Sequence, residues 1–182
     1  IFYFFTFKDG AHTMVLADAS TAHVACADAA KVRFFPESGS DHMIDTIASF
    51  ELENRLVTQK HSLGDYDPSK PSTALAANAS GTLGKGELLD WPGKHDTVAA
   101  GNALAKLRVE ASQLQAQELR GNGYVYPFTA GTKFTLSGHF RTSLNTAYVI
   151  RRVQHFARND MYRNRFEAFL ATVPFRPQRL TP

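Results

Sequence analysis

Gly131-Thr132-Lys133-Phe134-Thr135-Leu136-Ser137-Gly138-His139 is the stretch whose reading decides the fold class. Phe134 and Leu136 alternate with Lys133, Thr135 and Ser137, the period of a strand with one face on a core and the other in water. Two further strand-like runs follow, 147–156 and 162–171. The connections between them, Arg141-Thr142-Ser143-Leu144-Asn145 and Arg158-Asn159-Asp160, are short and polar. They predict consecutive antiparallel neighbours in a barrel or sandwich.

Working outward, the N-terminal side repeats the pattern. Ile1–Phe7 and His12–Ala17 are rich in aromatic and β-branched residues and flank Lys8-Asp9-Gly10-Ala11. The Asp-Gly pair is the signal of a tight hairpin turn. Lys31–Phe35 is a short strand, and Pro36–Asp41 a loop by composition where a boundary could fall. Between Ser49 and Leu56, polar Ser49, Glu51, Glu53 and Arg55 alternate with Phe50, Leu52, Asn54 and Leu56, again a half-exposed strand. Gly64–Pro71 and Asn78–Gly86 are turn-rich connections around a short segment, 72–77.

One helix is predicted, over 97–119. Leu104, Leu107, Ala111 and Leu114 recur at spacings of three, four and three, Asp96 or Thr97 can cap the start, and Gly121 follows as a stop. Lys106, Glu110, Gln113 and Gln117 make the opposite, solvated face. The fold class is therefore mainly β, an α+β arrangement with one amphipathic helix against a sheet.

Composition narrows the function classes. The chain has 182 residues, 43% of them hydrophobic, enough for one ordinary core or two small ones. No run approaches the roughly 20 apolar residues of a membrane-spanning helix. The first charge follows the apolar opening instead of preceding it, so the start is not a secretory signal and the chain reads as beginning mid-protein. The single cysteine, Cys26, excludes an internal disulfide framework.

The usual chemistry-bearing motifs fail on spacing. Histidines 12, 23, 42, 61, 95, 139 and 155 never stand four apart on a helix, and no Cys-x-x-Cys accompanies them. His23-x-x-Cys26-x-Asp28 is the one local group of potential ligands, in a small-residue loop where chance is the better account. Ser137-Gly138-His139 lacks the glycine two positions before the serine that a nucleophile elbow needs. Gly81-Thr82-Leu83-Gly84-Lys85-Gly86 misses both the spacing and the Ser/Thr of a phosphate loop, and Asp65-Tyr66-Asp67 is followed by Pro68 instead of a calcium loop. Glu51 and Glu53 share the wet face of one strand, a solubility device and not a glycosidase pair. The reading is non-enzymatic, with no cofactor and no metal.

Charge is the remaining signal. From His139 onward eight arginines (141, 151, 152, 158, 163, 165, 176, 179) face only Asp160 and Glu167; with a net +3 overall, the first 138 residues are net acidic by three. Arg151, Arg152, Arg163 and Arg165 lie on two adjacent predicted strands as a cationic stripe, interleaved with Tyr148, Phe156, Tyr162, Phe166 and Phe169. Such a stripe suits phosphate or the carboxylates of another subunit. Strand aromatics are more often core than base-stacking platforms, which favours a protein partner over nucleic acid.

The run from Gly131 to His139, then Leu144-Asn145, Tyr148-Val149, Val153-Gln154-His155, Tyr162–Phe166 and Val173-Pro174-Phe175-Arg176-Pro177, resembles the VgrG spike proteins of type VI secretion and the phage tail hub, or late control D, proteins. Upstream, Ile1–Phe5, Val15–Asp18, Asp65-Tyr66-Asp67 with Pro71, and Asp90-Trp91-Pro92-Gly93 resemble the same family, so the likeness spans nearly the whole chain.

The resemblance implies a hub of two similar β-barrels per subunit, three subunits forming a pseudo-sixfold ring that adapts a hexameric Hcp-like tail tube to a trimeric spike. Residues 1–36 and 120–173 would belong to one barrel, 44–80 would complete part of the second, and helix 97–119 would pack on the barrels. The proline-rich 174–182, stiffened by Pro174, Pro177 and Pro182, would be a linker towards a neck and needle. The implied partners are a homotrimer, the tube, baseplate proteins and secreted effectors, with a target membrane met only through the spike. Assembly would occur in the bacterial cytoplasm, followed by delivery, with no integral membrane segment. The Arg158-Asn159-Asp160 turn is shorter than the family leads one to expect. A phage tail baseplate hub is the alternative within the family; a carbohydrate-binding or adhesion β-module is the alternative outside it.

Overall fold

In the computed structural model, residues 1–36 and 45–177 are described. The predicted loop from Glu37 onward, His42, Arg179 and Pro182 fall outside them. The chain forms two compact units, Ile1–Glu53 with Gln117–Pro174, and Asn54–Ala116 with the tail from Phe175.

The first unit is built on a closed six-stranded barrel. Its strands are β3 (Lys31–Phe34), β4 (Thr46–Asn54), β8 (Gln117–Gly123), β9 (Lys133–Ser137), β10 (Ala147–Arg158) and β11 (Met161–Leu170), in the order β10-β11-β8-β4-β3-β9. β9, β10 and β11 are consecutive antiparallel neighbours, as their short polar connections require, whereas β3 runs parallel to both β4 and β9. Closure leaves the barrel no unpaired edge. Inward residues alternate along each stave, and Val32, Ile47, Leu119, Phe134, Leu136, Tyr148, Ile150 and Phe166 are all buried in one core.

That interior is filled with rings. Phe166 meets Phe128 and Phe134 edge-on, at centroid separations of 5.1 and 5.8 Å. The strand behind it makes room with glycine: a Cβ on Gly121 would stand 2.3 Å from Phe166 Cζ. Tyr148 is fully buried, so its hydroxyl donates to the Leu144 carbonyl at 2.8 Å, and burial pushes its pKa up to about 12.

The sequence predicts β1 (Phe2–Lys8) and β2 (Ala11–Ala17), and they form a two-stranded hairpin in this unit. Lys8 pairs with Ala11 across Asp9 and Gly10, at φ 52° and 75°, the left-handed pair that a type I′ turn demands. Phe2 and Phe4 pack over buried His23, with Phe2 stacked on its ring at 5.1 Å.

The second unit has a three-stranded sheet in the order β6 (Leu75–Ser80), β5 (Lys60–Asp65), β7 (Glu87–Asp90), packed on helix α1 (Val98–Ala116). Thr97 Oγ1 accepts from the Ala100 amide, the predicted N-cap. The helix lies on this sheet with Gly101, Ala105, Val109 and Ala116 buried; of the stripe chosen from leucine spacing, Leu104 packs against Leu63, Ala77 and Ala105, while Leu107 is exposed. The cause is distance: a Cβ on Gly101 would stand 2.6 Å from Ala77 Cβ, an approach only small residues permit. Glu110 and Gln113, predicted as solvated, instead bind Arg176 and the Leu83 backbone.

Three further differences concern boundaries. The helix stops at Ala116 and 117–119 open a barrel strand, because Leu119 is worth more in the core than as another helical turn. The segment expected at 72–77 is strand at Leu75–Ser80, and β5 and β7 have no strong alternation of their own. The sequence groups 46–53 with 44–80 in a second barrel; they lie in the first unit, where Ile47 and Phe50 enter its core. Alternation shows that one face is buried but not against which partner.

Candidate functional site

The polar atoms of the motif-like segments engage neighbouring parts of the chain. Asp65 accepts the Tyr66 amide at 2.8 Å and the His95 amide at 3.2 Å, and Asp67 accepts the Ser69 amide at 2.8 Å, so both carboxylates hold the turn. The Tyr66 amide is the main reason Asp65 titrates below the usual carboxylate range. Gly93, after a cis Trp91-Pro92 bond, donates to the Gly64 carbonyl at 2.7 Å, joining the two family-like segments. Gln113 clamps the glycine-rich loop, accepting from the Leu83 amide at 2.8 Å and donating to its carbonyl at 2.7 Å.

His23 and Cys26 engage different carbonyls, Gly131 at 2.8 Å and Pro127 at 3.0 Å. Among the described residues no three His, Cys, Asp or Glu side chains come together to hold a metal ion.

The arginine stripe faces outward. Across β10 and β11, Arg152 pairs with Glu167, Gln154 with Arg165, Phe156 with Arg163 and Arg158 with Met161. Since successive strand residues alternate faces, these eight share one face of the hairpin. All but Glu167 are exposed. Arg152, Arg163 and Arg165 are thus brought together as the sequence predicts.

Arg151 is separated from them by a register shift between Ile150 and Arg152. Its guanidinium lies 2.7 Å from both Glu118 Oε1 and Glu167 Oε2. The bulge turns Arg151 onto carboxylates of its own chain, and Arg120, 3.6 Å from Glu118 and 3.4 Å from Glu53, extends the same network. Glu118 is hidden from the sequence because its spacing places it on the helix, and with it the network that Arg120 joins.

Phe156, which the sequence interleaves with the arginines but assigns with the other strand aromatics to the core, is exposed. The Arg163 and Arg165 guanidinium carbons lie 5.5 and 5.9 Å from its ring centroid, within cation–π range. Arg152, Arg163 and Arg165 form no ion pair with any described residue. Beside them a groove of about 300 Å³ crosses the outer face of four staves, lined by Arg152, Gln154, Arg165, Arg120, Asn122 and Glu51. At its far side Asn122 donates to Ser49 Oγ at 2.9 Å.

The first unit is thus a closed barrel carrying an outward charged face, and the second spends the polar groups of its motif-like loops on its own backbone. The chain belongs to the phage tail baseplate hub (GPD) family, whose profile matches residues 1–161. It is 27% identical over 199 residues to the type VI secretion system spike protein VgrG1c of Pseudomonas aeruginosa, covering 100% of this chain and 27% of that protein. It is 26% identical to VgrG1b and VgrG1a of the same organism, with 89% of this chain aligned and 22% and 26% of theirs. The chain therefore spans about a quarter of the length of these spike proteins.

Among solved structures, the 43 kDa tail protein of prophage MuSo2 from Shewanella oneidensis superposes with a TM-score of 0.63 at 8% identity, over 95% of this chain and 52% of that one. The tail protein from Neisseria meningitidis MC58 gives 0.53 at 12% identity, over 88% and 48%. These likenesses establish a shared fold.

Proposed function

We propose that this chain is the hub portion of a puncturing spike in a contractile injection apparatus of the type VI secretion kind. It is a non-enzymatic part that adapts the tail tube to a trimeric spike. The observation that carries the reading is the family match over 1–161, supported by aligned spike proteins that take in the whole chain. Its partners are two further copies of itself, the tube, baseplate components and carried effectors. Arg152, Arg163 and Arg165 serve as contact residues, with Arg151 holding the strand beneath them. Residues 174–182 connect towards the neck. No described helix is long and apolar enough to cross a membrane, and the target membrane is met through the spike.

The superposition on two tail proteins favours one other reading, a phage or prophage baseplate hub. The two share the hub role and differ in the machine. Native mass measurement of the full-length protein tests the role: a trimer is expected, and a stable monomer overturns it. Neighbouring genes for a secretion sheath or for a phage capsid separate the machines.

A further inference from the structure

We infer that the outward face of the β10–β11 hairpin is a docking strip for an extended, acidic segment of another protein chain, in which carboxylates alternate with apolar residues. This rests on the hub reading and names the chemistry of one of its contacts.

The argument begins with spacing. Arg163 and Arg165 stand two residues apart on one strand, so their Cα atoms are about 7 Å apart. The side chains of a Glu-x-Glu segment in extended conformation repeat at the same interval, and each guanidinium can take one carboxylate through two parallel N–H donors. Preorganisation comes next. The Phe156 ring lies against both guanidiniums, whose central carbons stand 5.5 and 5.9 Å from its centroid. A ring contact orients the fork without neutralising it or consuming its in-plane donors, unlike the carboxylates that occupy Arg151.

The strip also has an apolar component. Phe156 and Met161 are 41% and 69% exposed on the same face as Arg163, and apolar residues of an incoming segment would cover them. Charge decides between a protein segment and a polynucleotide. Glu51 and Glu167 line the groove beside Arg152 and Arg165, so a continuous polyanion leaving the arginines meets carboxylates. A short acidic segment ends before them, and Gln154 and Asn122 offer neutral hydrogen-bonding groups at that point.

The experiment uses the full-length protein and fluorescence anisotropy at about 0.1 M salt, where the Debye length is about 10 Å. Probes are labelled peptides alternating Glu with Val, alternating Lys with Val, and a single-stranded thymidine oligonucleotide. The Glu-Val peptide is expected to bind and the Lys-Val peptide not to. Arg163→Gln with Arg165→Gln should weaken binding tenfold or more, and Phe156→Leu severalfold, while Arg141→Gln leaves it unchanged. Unfolding temperatures of the variants confirm that they fold.

Failure of the Glu-Val peptide to bind overturns the inference, as does equal weakening by Arg141→Gln. Tighter arginine-dependent binding of the oligonucleotide makes the strip a polyanion site and also overturns it. The mass of the same sample separates the two readings: a trimer that binds no acidic peptide leaves the hub role standing, whereas a monomer removes it.

Discussion

Arg151 and Glu118 are joined at 2.7 Å on adjoining parts of the barrel wall, with the carboxylate far more covered than the guanidinium, 11% against 44% exposed. Removing the cation leaves a sheltered carboxylate that has lost its closest charged contact, with Arg120 at 3.6 Å. Arg151→Met should therefore cost about 1 kcal/mol, because half-exposed pairs are screened while a covered partner resists losing its counter-ion. Arg152→Met should fall within about 0.5 kcal/mol of the parent. Thermal unfolding of both variants checks the contrast, and equal effects would refute it.

The barrel interior gives a sharper test. Because the Phe166 ring occupies the space a Cβ on Gly121 would need, Gly121→Ala overpacks a closed core and should cost about 1–3 kcal/mol. Adding Phe166→Leu to that variant should recover part of the loss, a coupling that independent sites would not show. Denaturant unfolding of the two singles and the double measures it.

Acid should loosen the N-terminal hairpin. Burial, the largest cause, holds His23 below its ordinary value of 6.5. Its Nδ1 is committed to the Gly131 carbonyl, and its Nε2 is buried with no hydrogen-bond partner. A proton on Nε2 would create a buried cation with an unsatisfied donor, beneath Phe2 and Phe4. With the folded pKa depressed, the unfolded chain binds the proton first. Stability is full above 6.5 and falls as the pH drops below it towards the folded value. Unfolding temperature should decline between neutrality and mild acid, and His23→Gln should flatten that slope; an unchanged slope would assign the effect elsewhere, His61 being shifted the same way.

Gln113→Glu tests the loop clamp. A carboxylate still accepts from the Leu83 amide but repels the Leu83 carbonyl that the amide group now donates to. Amide exchange at Leu83 and its neighbours should accelerate about tenfold or more, with the barrel strands unaffected.

Sequence by itself determined the elements whose signal is local. The Asp9-Gly10 turn and its hairpin follow from backbone sterics, and the alternation of 133–137 with the short turns after it yields three consecutive antiparallel strands. The family was legible as well, because ordered short motifs survive where overall identity is low. The cationic stripe could be seen as composition.

Tertiary structure alone decided what each buried face meets. Residues 46–53 enter the first unit's core, and the helix presents Gly101 and Ala105 to its sheet in place of Leu107. One bulge divides the stripe, giving Arg151 to Glu118 and leaving Arg152, Arg163 and Arg165 to the outside. Periodicity records that a face is covered, but the covering partner lies far away in sequence. Only packing brings Glu118 within 2.7 Å of Arg151 across 33 residues.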